Sequence, residues 1–484
     1  MSEVTRMALS VDTAMADAAT AAPLLAASEP GDRAGWLRAI ADRLDGDAEA
    51  LIALAARETH LTEPRLRGEL VRTTFQLRLF AEVVEEGRYL GAIIDHADPD
   101  WPMGARPDLR RMLRPLGPAA VYAASNFPFA FSVAGGDTAA AIAAGAPVVV
   151  KAHSAHPELS RAVAAHVDSA LALSGAPRGA FALVEGREAG RELVLDARLT
   201  VATFTGSLSG GRALYDLASA RPEPIPFYGE LGSVNPVFVT HAAASARPEE
   251  IARGFAASMT LGVGQFCTKP GVLFVPEDSA MTPLVVEAVR ASVGGPMLSG
   301  AIRDGYYASL DPLADREGVE LLAGSSARSD QPTPTVYGTD VTTFLAHPEE
   351  LLEEHFGPAA LIVRYRAEGD LLDAARSLRG QLTATVQGED GDRIGELVEL
   401  LAVKAGRVLW NGWPTGVSVT YAQQHGGPFP ATTAPHFTSV GTTSIGRFLR
   451  PVAYQDTPDA LLPPALRDAN PWGVPRLVDG RQTE

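Results

Sequence analysis

Residues 119–152, "AAVYAASNFPFAFSVAGGDTAAAIAAGAPVVVKA", decide the fold. An apolar run ends at Ala124, a stretch of small helix-compatible residues follows Gly136, and a second apolar run, "PVVVKA", follows that. Each apolar run is too short for a helix and is apolar on both faces, the pattern of buried parallel strands joined by a helical crossover. Downstream the alternation continues. The helix "PELSRAVAAHVDSALALSG", the strand "AFALVEG", the helix "REAGRELVLDA", the strand "LTVATFTG", the helix "SGGRALYDLAS" and the strand "PIPFYGEL" follow in turn. Short strands alternating with longer helices predict a doubly wound α/β sheet of the nucleotide-binding kind.

On the N-terminal side, residues 31–95 read as helices, with apolar residues at three-and-four spacing in "GWLRAIADRLDGDAEALIALAARET" and "ELVRTTFQLRLFAEVVEEG". Beyond Gly232, strands are expected at "NPVFVT", "GVLFVP", "ALIVRY" and "TATVQG", so a second α/β domain begins there. The run "HGGPFPATTAPHFTSVGTTSIG" at 425–446 reads as a long ordered loop of the sort that lines sites. The proline-rich tail "PPALRDANPWGVPRLVDG" is expected to pack on the sheet or on a neighbour.

The 484 residues suffice for two or three domains, and 46% hydrophobic with 20% charged is ordinary globular composition. With 41 basic and 58 acidic side chains the formal charge is −17, which repels nucleic-acid phosphates and anionic lipid surfaces. An anionic ligand must therefore be held by local cations and helix N-termini. The first twenty residues, with Glu3 and no long apolar run, do not read as a secretory signal, and no apolar stretch is long enough to span a bilayer. A cytoplasmic location is expected.

Cys267 is the only cysteine, which excludes an internal disulfide and a thiolate zinc cluster. A lone cysteine is usually core filler. This one lies in "SMTLGVGQFCTKPG" (258–271), a glycine-rich turn whose backbone N–H groups favour a nucleophilic thiolate. Such a nucleophile needs an oxyanion donor and a water-activating base, and Asn126 and Glu230, each at a strand end, have the right chemistry.

The motifs "SNFPFAFS", "PVVVKAH", "FTGSLSGG", "GELGSVNP", "GQFCTKPG" and "EEHFGPAALIV" stand in the order seen in the aldehyde dehydrogenase superfamily, and the chain resembles it over nearly its whole length. Within it, "NFPFAFSVAGGDTAAAIAAGAPVVVKAHSAHP" and the ending from "NGWPTGVSVTYAQQHGGPFPATT" are most similar to the α-ketoglutaric semialdehyde dehydrogenases and a related bacterial NADP-dependent group. The resemblance implies a Rossmann-like cofactor domain (1–103 and 119–231), an α/β catalytic domain (232–445) and a small β oligomerisation domain (104–118 and 446–484) that begins with a hairpin near 104–118. It also implies a homodimer or homotetramer.

By the same resemblance Cys267 attacks the aldehyde carbon, and the Asn126 amide and the Cys267 N–H hold the oxyanion. Glu230, with a carboxyl raised by partial desolvation, activates the hydrolytic water. Lys151 binds the adenosine ribose, Ser207 and Gly211 open a helix toward the pyrophosphate, Glu354 binds the nicotinamide ribose and Phe356 packs beside the ring. Ser154 stands where many NAD-using relatives carry a glutamate, which favours NADP while leaving NAD usable. Arg187 is a candidate for the phosphate or the adenine, with a solvated helix face as the alternative.

Substrate-tunnel candidates are Phe129, Phe131, Phe266 and Thr268, with Arg72, Gln76 and Lys269 as polar or cationic contacts. The expected reaction is oxidation of α-ketoglutaric semialdehyde to 2-oxoglutarate. Alternatives are NADP-dependent oxidation of medium- or long-chain aldehydes, acylation of coenzyme A, and a non-catalytic binding protein on the same fold. Gly262 replaces an asparagine common in relatives. His153 and His156 lack a third ligand of the right type, and "GEDGD" at 388–392 lacks the oxygens of a calcium loop, so no metal is expected.

Overall fold

In the computed structural model of the chain, which describes residues 9–483, three sheets carry the architecture. Residues 1–8, which include Glu3, and Glu484 lie outside the described residues. The first sheet holds five strands in the spatial order Phe181–Val184, Val148–Lys151, Ala119–Tyr122, Val201–Thr205 and Phe227–Glu230, all parallel. Ala119–Tyr122 and Phe181–Val184 are buried throughout, as strands covered on both faces must be. The helix Gly136–Ala144 fits beneath the sheet because its residues are small, and Gly136 lies so close to the helix Glu63–Glu86 that a Cβ there would sit 2.7 Å from Gln76 Nε2.

The second sheet has seven strands in the order Glu320–Ala323, Thr335–Asp340, Ala359–Tyr365, Val272–Pro276, Val237–Val239, Gln381–Gln387 and Ala405–Trp410, parallel except for the first pair. Three of these strands, at 320–323, 335–340 and 405–410, were not expected from the sequence. "ELLA" and "AGRVLW" are partly exposed edge strands with little apolar signal. The helix Val11–Ala26 was also missed, because its alanine-rich turns weaken the three-and-four contrast.

The third sheet corrects the hairpin expected near 104–118. Its order is Leu449–Gln455, Leu109–Pro115, Ala92–Asp95, Arg476–Val478 and Arg481–Thr483, so the antiparallel partner of 109–115 within that half is Ala92–Asp95. The tail packs on this sheet, with Ala465, Leu466 and Val474 buried beside Ile94 and Met112. Among the described residues no helix is long and apolar enough to cross a membrane.

Candidate active site

The helix Pro248–Thr260 ends in a tight left-handed turn, with φ of 57° at Gly262, 58° at Val263 and 67° at Gly264, and Cys267 follows it. Two of these glycines are required sterically. At Gly264 a Cβ would lie 2.3 Å from the Gly357 carbonyl oxygen, and at Gly262 it would lie 2.7 Å from both Arg65 Nη1 and the Phe266 ring. The glycine at 262 thus makes room for an arginine. Val263, a β-branched residue in the left-handed region, is strained and is held there by the glycines on either side. Asn235 braces the other side of the turn, its Nδ2 donating to the carbonyls of Cys267 at 2.8 Å and Lys269 at 2.9 Å.

Cys267 keeps part of its surface open to a cavity of about 530 Å³ that Asn126, Phe131 and Glu230 also line. Ser207, Glu354 and Phe356 line the same cavity, so seven of the residues singled out in the sequence meet there. Asn126 spends one amide hydrogen on the Gln265 carbonyl at 3.1 Å and keeps a second donor. Glu230 is 4% exposed at the end of its strand, and Ser439 Oγ donates to its Oε2. His425 Nε2 lies 3.0 Å from Glu230 Oε1 and 3.6 Å from Cys267 Sγ, and the three donor atoms fall within 4.8 Å of one another. His425 and Ser439 both come from the long loop, and neither was identified individually from the sequence.

Two electrostatic expectations are corrected by this cluster. Burial, reinforced by the charges of Glu230 and Glu354, pushes the Cys267 thiol well above its ordinary range, so the turn does not by itself favour a thiolate. Burial also works to raise Glu230, but the charge of His425 and hydrogen bonds from His425, Ser439 and Cys267 outweigh it and hold the carboxyl below its usual value. Glu230 is therefore ionised at neutral pH and the resting thiol is protonated.

Both contacts of His425 use the same nitrogen, and its Nδ1 is buried without a partner. With Nε2 bare it can accept the thiol proton; with Nε2 protonated it donates to Glu230. A proton taken from sulfur thus ends on a nitrogen 3.0 Å from the Glu230 carboxylate.

The cofactor half is built from the first sheet. The exposed Ser207 caps the helix Leu208–Ser219 by accepting from Gly210 N–H, and the first turn of that helix carries no acid, so its free N–H groups suit a pyrophosphate. Gly211 lies outside the cavity lining, buried where a Cβ would be 2.1 Å from Leu231 Cδ2, and so sets the helix close against the strand end. Lys151 ends its strand with an ammonium that has no hydrogen-bond or ion-pair partner among the described residues, and burial lowers its pKa. Ser154 is exposed three residues on, and Arg187 is exposed at the start of the helix Arg187–Leu195. Glu354 approaches Gly232 so closely that a Cβ there would be 2.5 Å from Oε2, and burial raises its carboxyl against the opposing charge of Lys269. These residues fit a nicotinamide dinucleotide.

Several tunnel candidates lie elsewhere. Phe129 is 1% exposed and belongs to the core, because the turn 127–131 closes with Phe131 N–H donating to the Phe127 carbonyl and so directs 127 and 131, not 129, to the cavity. Thr268 is buried, and Phe266 packs edge-on to Phe127 under Arg65. Lys269 is buried with Nζ donating to the Ala359 carbonyl at 2.6 Å, where it faces Glu354 and not a substrate. Gln76 is buried beneath Gly136. His156 is structural, its two ring nitrogens engaging Ser160 Oγ and the Ala124 carbonyl, whereas His153 lines the cavity and burial lowers its pKa to about 3.

Residues 5–428 match the aldehyde dehydrogenase family. The chain belongs to that family. The chain is an aldehyde-oxidising oxidoreductase that uses a nicotinamide cofactor. This aldehyde dehydrogenase is 48% identical over 474 residues to α-ketoglutaric semialdehyde dehydrogenase 2 of Azospirillum brasilense, covering 96% of this chain and 89% of the relative. It is 44% identical over 459 residues to α-ketoglutaric semialdehyde dehydrogenase of Acinetobacter baylyi, covering 93% of this chain and 87% of the relative. Among solved structures it superposes on glyceraldehyde-3-phosphate dehydrogenase of Methanocaldococcus jannaschii complexed with NADP, with a TM-score of 0.78 at 21% identity, covering 93% of this chain and 95% of that one. It also superposes on 1-pyrroline-5-carboxylate dehydrogenase from Thermus with bound NAD, with a TM-score of 0.76 at 21% identity, covering 93% and 86%. These distant likenesses establish the aldehyde dehydrogenase fold.

Proposed function

We propose that this dehydrogenase oxidises α-ketoglutaric semialdehyde to 2-oxoglutarate with NADP as preferred cofactor. The observation that carries the chemistry is the cluster of Cys267 Sγ, His425 Nε2 and a Glu230 oxygen within 4.8 Å, at a cofactor-sized cavity. The names of the two relatives at 44% and 48% identity support the substrate.

In this reading His425 takes the thiol proton as sulfur attacks the aldehyde carbon, and the resulting oxyanion accepts from Asn126 Nδ2–H and Cys267 N–H. Lys151, Ser207 and the helix it caps hold the dinucleotide, while Glu354 and Phe356 orient its nicotinamide end. A nicotinamide held there would supply the hydride acceptor for the substrate carbon, and Cys267 would then hold the acyl group as a thioester. Glu230, ionised and freed from the acyl group's sulfur, deprotonates the water that cleaves this thioester.

Ser154 supports the NADP preference, because no carboxylate stands there to repel a 2′-phosphate and the Lys151 ammonium has no hydrogen-bond or ion-pair partner among the described residues. Arg187, exposed nearby in sequence, is a further candidate for that phosphate. We also propose a cytoplasmic enzyme that assembles as a homodimer or homotetramer through its third sheet, with Ala92–Asp95 joining the unit formed by 104–118 and 446–484. The cofactor and catalytic units are then 1–103 with 119–231, less that strand, and 232–445. Phe127 and Phe131 in the cavity wall favour a second reading, oxidation of medium- or long-chain aldehydes. Measuring kcat/KM for α-ketoglutaric semialdehyde, succinic semialdehyde and a C6 to C12 aldehyde series with NADP and NAD tests the choice. A preference for the long aldehydes overturns the semialdehyde reading.

A further inference from the structure

Three arginines converge on the aromatic wall beside Cys267 and on the segment 414–417. Arg65 and Arg72 rise from the helix Glu63–Glu86, and Arg407 comes from the strand Ala405–Trp410. The Arg65 guanidinium carbon lies 5.1 Å from the Phe127 ring centroid and 4.8 Å from that of Phe266, and Arg72 lies 5.2 Å from Phe131. Arg407 donates to the carbonyls of Pro414 at 2.7 Å and Gly416 at 3.2 Å, while Arg72 reaches the Val417 carbonyl at 3.5 Å. Val417 and Phe131 pack against the same small cluster of Leu79, Val419 and Val440, so two guanidinium groups grip one short segment next to the support of the cavity wall.

What these arginines lack, among the described residues, is a carboxylate at ion-pair distance. In a chain with 58 acidic and 41 basic side chains, buried Arg447 pairs with Asp137 and buried Arg110 with Asp108 and Asp468. Among the described residues Arg65, Arg72 and Arg407 make no ion pair, and each keeps a buried donor without a partner: Arg65 Nη1, Arg72 Nη1 and Arg407 Nε. Glu69 lies on the same helix between Arg65 and Arg72 and its charge acts on both, but burial raises its carboxyl, its Oε1 is taken by the N–H groups of Phe129 and Ala130, and its Oε2 makes no hydrogen bond. Arg65 is further committed to the Asn126 carbonyl at 2.7 Å. For Arg72 and Arg407 alike, the Cys267 sulfur is close enough to act on them when it is ionised, and burial disfavours their own charge. Two partly buried guanidinium groups that donate only to backbone carbonyls, each with one donor left over and no carboxylate at hydrogen-bond distance, call for an anion supplied by the ligand.

We propose that Arg72 and Arg407 form the receptor for the substrate carboxylate at the end remote from the aldehyde, and so select acidic semialdehydes over uncharged chains. This rests on the semialdehyde reading above and names the residues that enforce it. A fork of guanidinium donors suits a carboxylate, and contact at short range is needed because the net negative charge gives no long-range attraction.

The test compares kcat/KM for α-ketoglutaric semialdehyde with that for pentanal in the wild type, Arg72→Met, Arg407→Met and Arg407→Lys. The ratio should favour the semialdehyde in the wild type and fall on the order of 100-fold in each methionine variant, with partial recovery in the lysine variant. A wild type that prefers pentanal overturns the substrate reading and the receptor with it. A wild type that prefers the semialdehyde, with variants that keep the ratio, overturns the receptor alone. Where a methionine variant fails to fold, the wild type decides: glutarate should protect Cys267 from alkylation by iodoacetamide and pentanamide should not, and equal protection refutes the assignment.

Discussion

Replacing His425 tests the part of the mechanism that the sequence did not reveal. His425→Gln removes the imidazole in contact with the thiol while keeping an amide donor for Glu230; His425→Ala removes both. The thiol is held protonated by burial and by the charges of Glu230 and Glu354, so sulfur attack needs an acceptor, and His425 Nε2 at 3.6 Å stands in place beside the Glu230 carboxylate to which the thiol also donates. A positioned general base contributes roughly 10²–10⁴ in rate, so the glutamine variant should lose about 10²–10³ in kcat/KM. The alanine variant also strips Glu230 of a hydrogen bond at 3.0 Å, which for a charged acceptor contributes about 1.5–3 kcal/mol, and should fall at least a further ~10-fold. Reduced-nicotinamide absorbance gives the steady-state values, and the rate of Cys267 alkylation against pH gives thiol reactivity directly. Both variants should need higher pH for alkylation. A glutamine variant within about threefold of the wild type, with an unchanged alkylation profile, would remove His425 from the chemistry.

Glu230→Gln takes away one of the two carboxylates that hold the thiol up, so the alkylation profile of Cys267 should move to lower pH even as turnover slows about 10²-fold behind a retained burst of reduced cofactor. An unmoved profile would show that Glu230 does not act on the sulfur. Gly264→Ala would set a Cβ 2.3 Å from a backbone carbonyl at a φ of 67°, and the displaced turn should lower kcat by roughly 10²-fold while overall helicity, read by circular dichroism, is kept. Arg447→Met leaves the largely covered Asp137 without its 2.6 Å partner and should destabilise the protein by about 3 kcal/mol in urea unfolding, since this pair fastens the end of the long loop to the helix Gly136–Ala144. Ser154→Glu should reduce kcat/KM for NADP about tenfold or more while sparing NAD; equal losses would mean that the 2′-phosphate is read elsewhere.

The doubly wound sheet was legible because its strands are buried on both faces and its helices carry their own periodicity, so each element announces itself within a dozen residues. Cys267, Glu230 and Asn126 were legible for a different reason: each sits in a short motif whose neighbours are constrained by a turn or a strand end. His425 had no such setting. It lies 195 residues from Glu230 and 158 from Cys267, in a loop without period, and its only signal was a histidine beside two glycines in a stretch expected to line a site. Phe129 was misplaced because "FPFAF" carries no rule for which ring faces in until the turn from Phe127 to Phe131 is closed. Lys269, adjacent in sequence to the nucleophile's turn, is held by a carbonyl from the far strand Ala359–Tyr365.

Local sequence therefore determined which groups do chemistry, since glycine spacing, strand ends and a single thiol act over a few residues of covalently fixed chain. Only the tertiary structure decided their protonation and their partners. A carboxyl or thiol responds to burial and to charges a few ångströms away, and in this protein those neighbours arrive from a helix, an edge strand and a loop that the chain brings together only on folding.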